Sequence, residues 1–144
     1  MTEPAATPPA ELSSEARQIV AGYSFDEPAI DLGVLIENGN PIPAAAVRIP
    51  LSMLNRHGLV AGATGTGKTK TLQLMAEQLS ANGVPVFAAD IKGDLSGMSA
   101  PGEGGDKITS RAASVGQQWT ATSYPVEFYA LGGQGTGIPL RVTM

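Results

Sequence analysis

The segment Gly62-Ala63-Thr64-Gly65-Thr66-Gly67-Lys68-Thr69 constrains this chain more than any other. It satisfies every position of G-x-x-x-x-G-K-[ST], the spacing of a phosphate-binding loop. Glycines there allow positive φ and let successive backbone N–H groups approach phosphate oxygens. A helix starting near Lys68 adds its unpaired N–H groups and the positive end of its dipole at the same point. Its context agrees. The apolar run His57-Gly58-Leu59-Val60-Ala61 precedes the loop, and Leu72, Met75, Ala76 and Leu79 follow at i, i+3, i+4 and i+7, the spacing of one apolar helix face. In a chain of this composition the motif arises by accident on the order of one per cent of the time.

The loop dictates roles for its residues. Lys68 is expected to reach the β- and γ-phosphates and to be the catalytic cation. The Thr69 hydroxyl is expected to ligate Mg²⁺, with waters and phosphate oxygens filling the remaining positions. The full binding set is Gly62, Ala63, Thr64, Gly65, Thr66, Gly67, Lys68, Thr69 and Lys70, and the expected ligand is ATP with Mg²⁺. No Asn-Lys-x-Asp guanine-reading motif is present, which disfavours GTP.

Reading outward, the run Val84 to Ala89 ends at Asp90, and Asn82-Gly83 stops the helix of residues 68–82. Strand, loop, helix and strand then make one βαβ unit with a right-handed crossover. Upstream, residues 1–9 hold little to bury and are expected to be disordered. Leu12, Ala16, Ile19 and Val20 mark a short helix over residues 10–21, ended by Gly22. Residues 30–36 and 45–49 read as strands joined at Asn38-Gly39-Asn40. Downstream the pattern weakens, with a short helix near 106–115, a third strand over 126–131, a glycine-rich loop over 132–137 and an extended piece over 140–143. The organisation expected is a tail and helix (1–22), a small β-rich segment (23–50) and the N-terminal part of an α/β nucleotide-binding domain with a parallel-sheet core (51–144).

Composition limits the alternatives. Residues 1–40 hold seven acidic and one basic residue, whereas residues 41–144 hold six acidic and eight basic. Those eight are scattered, so the charge pattern does not show the dense basic stripe of a nucleic-acid grip. There is no Cys and a single His57, which excludes disulfides, thiolate metal sites and a His-only zinc site. No apolar run approaches the ~20 residues of a membrane span, and Met-Thr-Glu-Pro lacks a secretory signature. The expected setting is cytoplasmic, with no membrane partner.

Hydrolysis requires a carboxylate near the metal as well as a cradle. Asp90, at a strand end, is the candidate metal ligand. The competing reading makes it a polar strand end, with Asp94 shaping the turn. Glu127 lies within a strand pattern and is assigned to a solvated face. The second glycine cluster, residues 132–137, has no following Lys and reads as a turn. Trp119, Tyr124, Phe128 and Tyr129 are assigned to packing, and His57 to a structural role.

The stretch from Arg48 to Thr71, followed by Asp90-Ile91-Lys92-Gly93-Asp94-Leu95-Ser96-Gly97, resembles bacterial HerA-like ATPases of the HerA–FtsK branch of P-loop motors. The similarity is clear from about residue 30 to 97 and looser beyond, and it covers the N-terminal part of that family's chain. The resemblance implies a P-loop NTPase core of the RecA, additional-strand type, ring-shaped homo-oligomers and motor action on DNA by the intact protein. Gly62 to Thr69 then corresponds to the Walker A loop. Asp90 corresponds to the second-strand aspartate rather than the Walker B acid. No later run ends in Asp-Glu, so the Walker B pair, catalytic glutamate and trans-acting arginine are expected further along, and the chain is expected to be a fragment or truncated frame with an incomplete core. Two other readings stand beside the HerA-like helicase and translocase ATPase. One is a small P-loop kinase using Asp90 and Asp94, and the other a nucleotide-binding module without turnover.

Overall fold

The turn Asn38-Gly39 organises the longest strand pair among the described residues. Both residues have positive φ, 51° and 79°, the geometry of a two-residue turn whose twist matches paired strands. It joins strand β1 (Ala29–Glu37) to strand β2 (Asn40–Pro50) in an antiparallel pair. Both strands fall where alternation and turn chemistry predict them, and β2 starts earlier than the expected residue 45. The computed structural model describes residues 12–132 and 135–141. The expected disorder of residues 1–9 and the extension over residues 142–143 lie outside the described residues, as does part of the second glycine cluster.

The hairpin is irregular at two places. Leu32 is bulged out between the pairs Asp31↔Arg48 and Gly33↔Val47. Further along, the pairing steps from Val34↔Ala46 to Leu35↔Ile42, leaving Pro43, Ala44 and Ala45 unmatched. Pro43 has no N–H to give to a ladder, so a bulge is the conformation in which a strand tolerates it. The bulge turns Ala45 inward, and Ala45, Ile30 and Ala16 are fully buried. An ion pair, Arg48 Nε to Asp31 Oδ1 at 2.7 Å, spans the two strands on a half-exposed face.

Helix α1 (Ser14–Gly22) packs against β2. Ser13 caps it, its hydroxyl oxygen accepting from the Ala16 N–H at 3.0 Å and its O–H donating to Glu37 Oε1 at 2.6 Å. The cap starts the helix later than residue 10. Gly22 is its last helical residue, and the Tyr23 N–H closes the end on the Ile19 carbonyl.

Helix α2 (Lys68–Ala81) and helix α3 (Asp106–Ser114) form where the sequence predicts them. Both end in a glycine-centred Schellman motif. At α2 the Gly83 N–H donates to the Ser80 carbonyl and Val84 to Leu79, each at 2.9 Å. At α3 the donors are Gly116 to Ala113 and Gln117 to Ala112. Positive φ at Gly83 (75°) and Gly116 (73°) makes this closure possible. Gly116 also sits tight against the β2 bulge, since a Cβ there would lie 3.0 Å from Pro43 Cβ.

The described residues within Met1–Leu59 and Asp106–Trp119 form one compact unit; those within Val60–Gly105 and Thr120–Met144 form a second. In the second unit the only sheet among the described residues is a short parallel pair, strand β3 (Tyr129–Leu131) with strand β4 (Ile138–Leu140). It is shorter than the strand expected over residues 126–131. Gly137 is required there, because a Cβ would approach the Phe128 carbonyl oxygen to 2.9 Å.

The parallel core expected around the loop is a correction. Neither residues 57–61 nor residues 84–89 enter a sheet, and the βαβ unit is not formed. The fold is α/β, with one two-stranded antiparallel sheet and one two-stranded parallel sheet. The physical reason lies in pairing. An apolar run becomes a strand only when neighbours take up its N–H and C=O groups, and here Val86, Phe87 and Leu59 are instead 45%, 82% and 88% exposed. No helix among the described residues is long and apolar enough to cross a membrane.

Candidate functional site

The glycine loop is contracted on one carbonyl. The Ala63 oxygen accepts from the Lys68 ammonium at 2.7 Å, from the Thr66 hydroxyl at 2.8 Å and from the Thr66 N–H at 3.4 Å. A Cβ at position 62 would fall 2.5 Å from Thr66 Oγ1, so a side chain there requires the Thr66 hydroxyl to turn away. Gly65 and Gly67 have φ of 81° and 99°, a region in which an L side chain is strained.

Gly67 is the N-cap of α2 and brings no capping side chain. The first intrahelical N–H bond is made by Thr71, to the Gly67 carbonyl at 2.9 Å. By helix geometry the N–H groups of Gly67, Lys68, Thr69 and Lys70 therefore have no acceptor within the helix. These four donors, the positive dipole end and Lys68 all belong to the same helix terminus. Thr69 is half-buried on the first turn, and Thr64 is exposed on the loop. The Lys70 side chain turns along the helix instead, with Nζ donating to Gln73 Oε1 at 2.9 Å.

Asp90 is occupied by its own turn. Its Oδ1 accepts from the N–H groups of Lys92 (3.2 Å), Gly93 (2.8 Å) and Asp94 (3.2 Å), and Oδ2 accepts from Leu95 at 2.8 Å. Donation from Leu95 is the largest influence on this carboxyl; desolvation opposes it, and donation from Gly93, Asp94 and Lys92 adds to it, so the group is held below the usual aspartate range. Asp94 participates through its backbone: its N–H goes to Asp90 and its carbonyl accepts from Gln73 Nε2 at 2.7 Å. Among the described residues no group of three His, Cys, Asp or Glu side chains is placed to hold a metal.

Gln73 is the residue that sequence reasoning missed. It belongs to a polar stripe, Lys70, Gln73 and Glu77, spaced i, i+3 and i+7 on α2, a signal legible from helix periodicity. Burial raises the Glu77 carboxyl above its ordinary value, with the Lys70 charge opposing. Burial also raises the Tyr124 phenol, and the Glu77 charge adds to that shift.

Glu127 is exposed, just before β3, and accepts from the Tyr129 hydroxyl at 2.7 Å. Trp119 and Tyr124 are half-buried, whereas Phe128 and Tyr129 are about half exposed, and His57 is exposed. In the first unit an open groove of about 300 Å³ is lined by Val20, Tyr23, Pro43, Ala46 and Arg48 among others. None of these is a predicted site residue.

No curated protein and no solved structure matches this chain. A family model does. The match begins at Ile36 within β1, takes in the glycine loop, α2 and the Asp90 turn, and continues to Met144, beyond the clear resemblance near residue 97. The model describes the helicase HerA-like C-terminal domain and covers residues 36–144, well over half of the chain, so the chain belongs to the HerA-like helicase family.

Proposed function

We propose that this chain binds ATP with Mg²⁺ on Gly62–Thr69, as the nucleotide-binding part of a HerA-like helicase or translocase ATPase. The observation that carries the proposal is the uncapped start of α2 behind Gly67, with the Lys68 ammonium 2.7 Å from a loop carbonyl. A cation held by one neutral carbonyl, beside helix N–H groups without helix acceptors, is a site prepared for polyphosphate. The N–H groups of Gly65 to Lys70 would line the phosphates. Lys68 would exchange the Ala63 carbonyl for phosphate oxygens, and Thr69 Oγ1 would ligate Mg²⁺ together with waters, assisted by Asp90. When bound, Mg²⁺ supplies charge neutralisation of the phosphates. In the intact protein the expected setting is a cytoplasmic homo-oligomeric ring that acts on DNA, with hydrolysis completed by residues outside this set.

Binding without turnover is the second reading. It is favoured by Asp90, whose oxygens already accept four backbone N–H bonds and so are poor candidates to activate water.

Calorimetric titration of the chain with ATP and Mg²⁺, beside a phosphate-release assay, tests both. Binding that weakens roughly tenfold to a hundredfold in Lys68→Ala supports the loop assignment, consistent with losing a charge-assisted hydrogen bond of about 1.5–3 kcal/mol. Equal affinity in wild type and Lys68→Ala would count against it. Steady phosphate release by the wild type would remove the second reading.

A further inference from the structure

We propose that Gln73 is a positioning residue that fixes the Asp90 turn to the phosphate-loop helix and so sets where the Asp90 carboxylate stands relative to Thr69. The inference rests on the ATP-binding reading above. Its ground is a chain of donors with one direction. Lys70 Nζ donates to Gln73 Oε1 at 2.9 Å, and Gln73 Nε2 donates to the Asp94 carbonyl at 2.7 Å.

The direction follows from chemistry. An ammonium is a donor only, so Lys70 requires the amide oxygen of Gln73 on its side. The NH₂ group of Gln73 is then presented to the Asp94 carbonyl, which is an acceptor only. Lys70 thus fixes the amide orientation and Gln73 delivers the contact. The Asp94 carbonyl shares its peptide unit with the Leu95 N–H, which donates to Asp90 Oδ2 at 2.8 Å, so this contact meets the carboxylate across a single peptide unit.

Helix geometry makes the link useful. Thr69 and Gln73 are four residues apart on α2, one turn and a small fraction. One rigid helix therefore carries both the loop's terminal hydroxyl and the anchor of the Asp90 turn. The turn needs such an anchor. Residues 84–90 have no sheet partner to hold them, and Gln73 to Asp94 is a bond between side chain and backbone across 21 positions of sequence.

Three variants test this in the full chain. Gln73→Met preserves length and helix propensity and removes the donor. Gln73→Glu replaces the donor with an acceptor facing a carbonyl. Gln73→Arg restores donors able to reach the Asp94 oxygen. The first readout is amide hydrogen exchange at residues 92–95 without nucleotide. Exchange is expected to rise about fivefold in Gln73→Met, more in Gln73→Glu, and to return near wild type in Gln73→Arg, the scale of losing one hydrogen bond. The second readout is the ratio of ATP affinities with and without Mg²⁺. It is expected to fall about fivefold in Gln73→Met while metal-free affinity stays within twofold, and to recover in Gln73→Arg.

Unchanged exchange in Gln73→Met overturns the tie itself. Accelerated exchange with equal weakening of metal-free and Mg²⁺-loaded ATP overturns the positioning role and leaves a structural bond. A wild-type chain that binds no ATP defeats the loop reading and the positioning role together. The exchange data then report separately whether the tie exists.

Discussion

The β1–β2 hairpin and the α2 helix with its loop are held together in different ways. The hairpin depends on distant partners. Ile30 and Ala45 are fully buried, and the Arg48–Asp31 pair and the Ser13–Glu37 bond join residues 17 and 24 positions apart. The α2 region depends on near neighbours, the Gln73–Asp94 bond excepted. Its N-cap is a left-handed glycine, its loop closes on Ala63, its C-terminus closes on Ser80 and Leu79, and none of its residues is fully buried. A region built from local bonds can keep its outline while its apolar face stays open. A region built from long-range contacts cannot form in part. The difference places the fully buried side chains Ile30 and Ala45 in the hairpin and leaves α2 without one.

Substitutions should separate the two regions. Ile30→Ala removes a fully buried side chain and is expected to destabilise the hairpin by about 2–5 kcal/mol. Urea unfolding followed by hydrogen exchange in β1 and β2 would measure it, with α2 protection close to wild type. Equal loss in both regions would mean that they unfold as one and would break the comparison. Gly83→Ala should act the other way. It places an L side chain at φ 75°, at a cost of about 1–2 kcal/mol, and exchange should rise over the last turns of α2 while the hairpin is untouched.

The smallest effect is a pH dependence confined to the Asp90 turn. The Asp90 carboxyl is held below its ordinary value, chiefly by the Leu95 N–H. Its contribution is therefore fully present above the unfolded aspartate value and is lost as pH falls through the lower folded one. Amide protection at residues 92–95 should persist through mildly acidic pH and disappear only below the usual aspartate range. Loss at or above that range would show that the four N–H bonds do not hold the carboxylate in solution.

Much of this was legible from residue types. Asn38-Gly39, Asn82-Gly83 and the Gly65 and Gly67 positions announce their backbone geometry because positive φ is a property of the residue itself and its immediate neighbours. The amphipathic spacing of α2 and the G-x-x-x-x-G-K-T pattern are short-range in the same sense, and so are the family features they carry. The competing reading of Asp90 places a turn there but gives the shaping role to Asp94, whereas the Asp90 carboxylate is the group that accepts the turn's N–H bonds. The Gln73 amide was harder to find, since nothing along the chain says that position 94 returns to position 73.

Which groups meet across long distances was settled by folding alone. Residues 57–61 and 84–89 have the composition of buried strands, yet strand formation depends on a neighbour to accept and donate along the ladder, and no sheet among the described residues takes them in. Pro43 lies inside β2 because the register steps there, and the bulge in turn gives Gly116 a surface to pack on. Turns, caps and helix periods are written in the energies of a few adjacent residues. Register, burial and the Gln73–Asp94 bond depend on which remote donors and acceptors arrive, and only the folded chain brings them together.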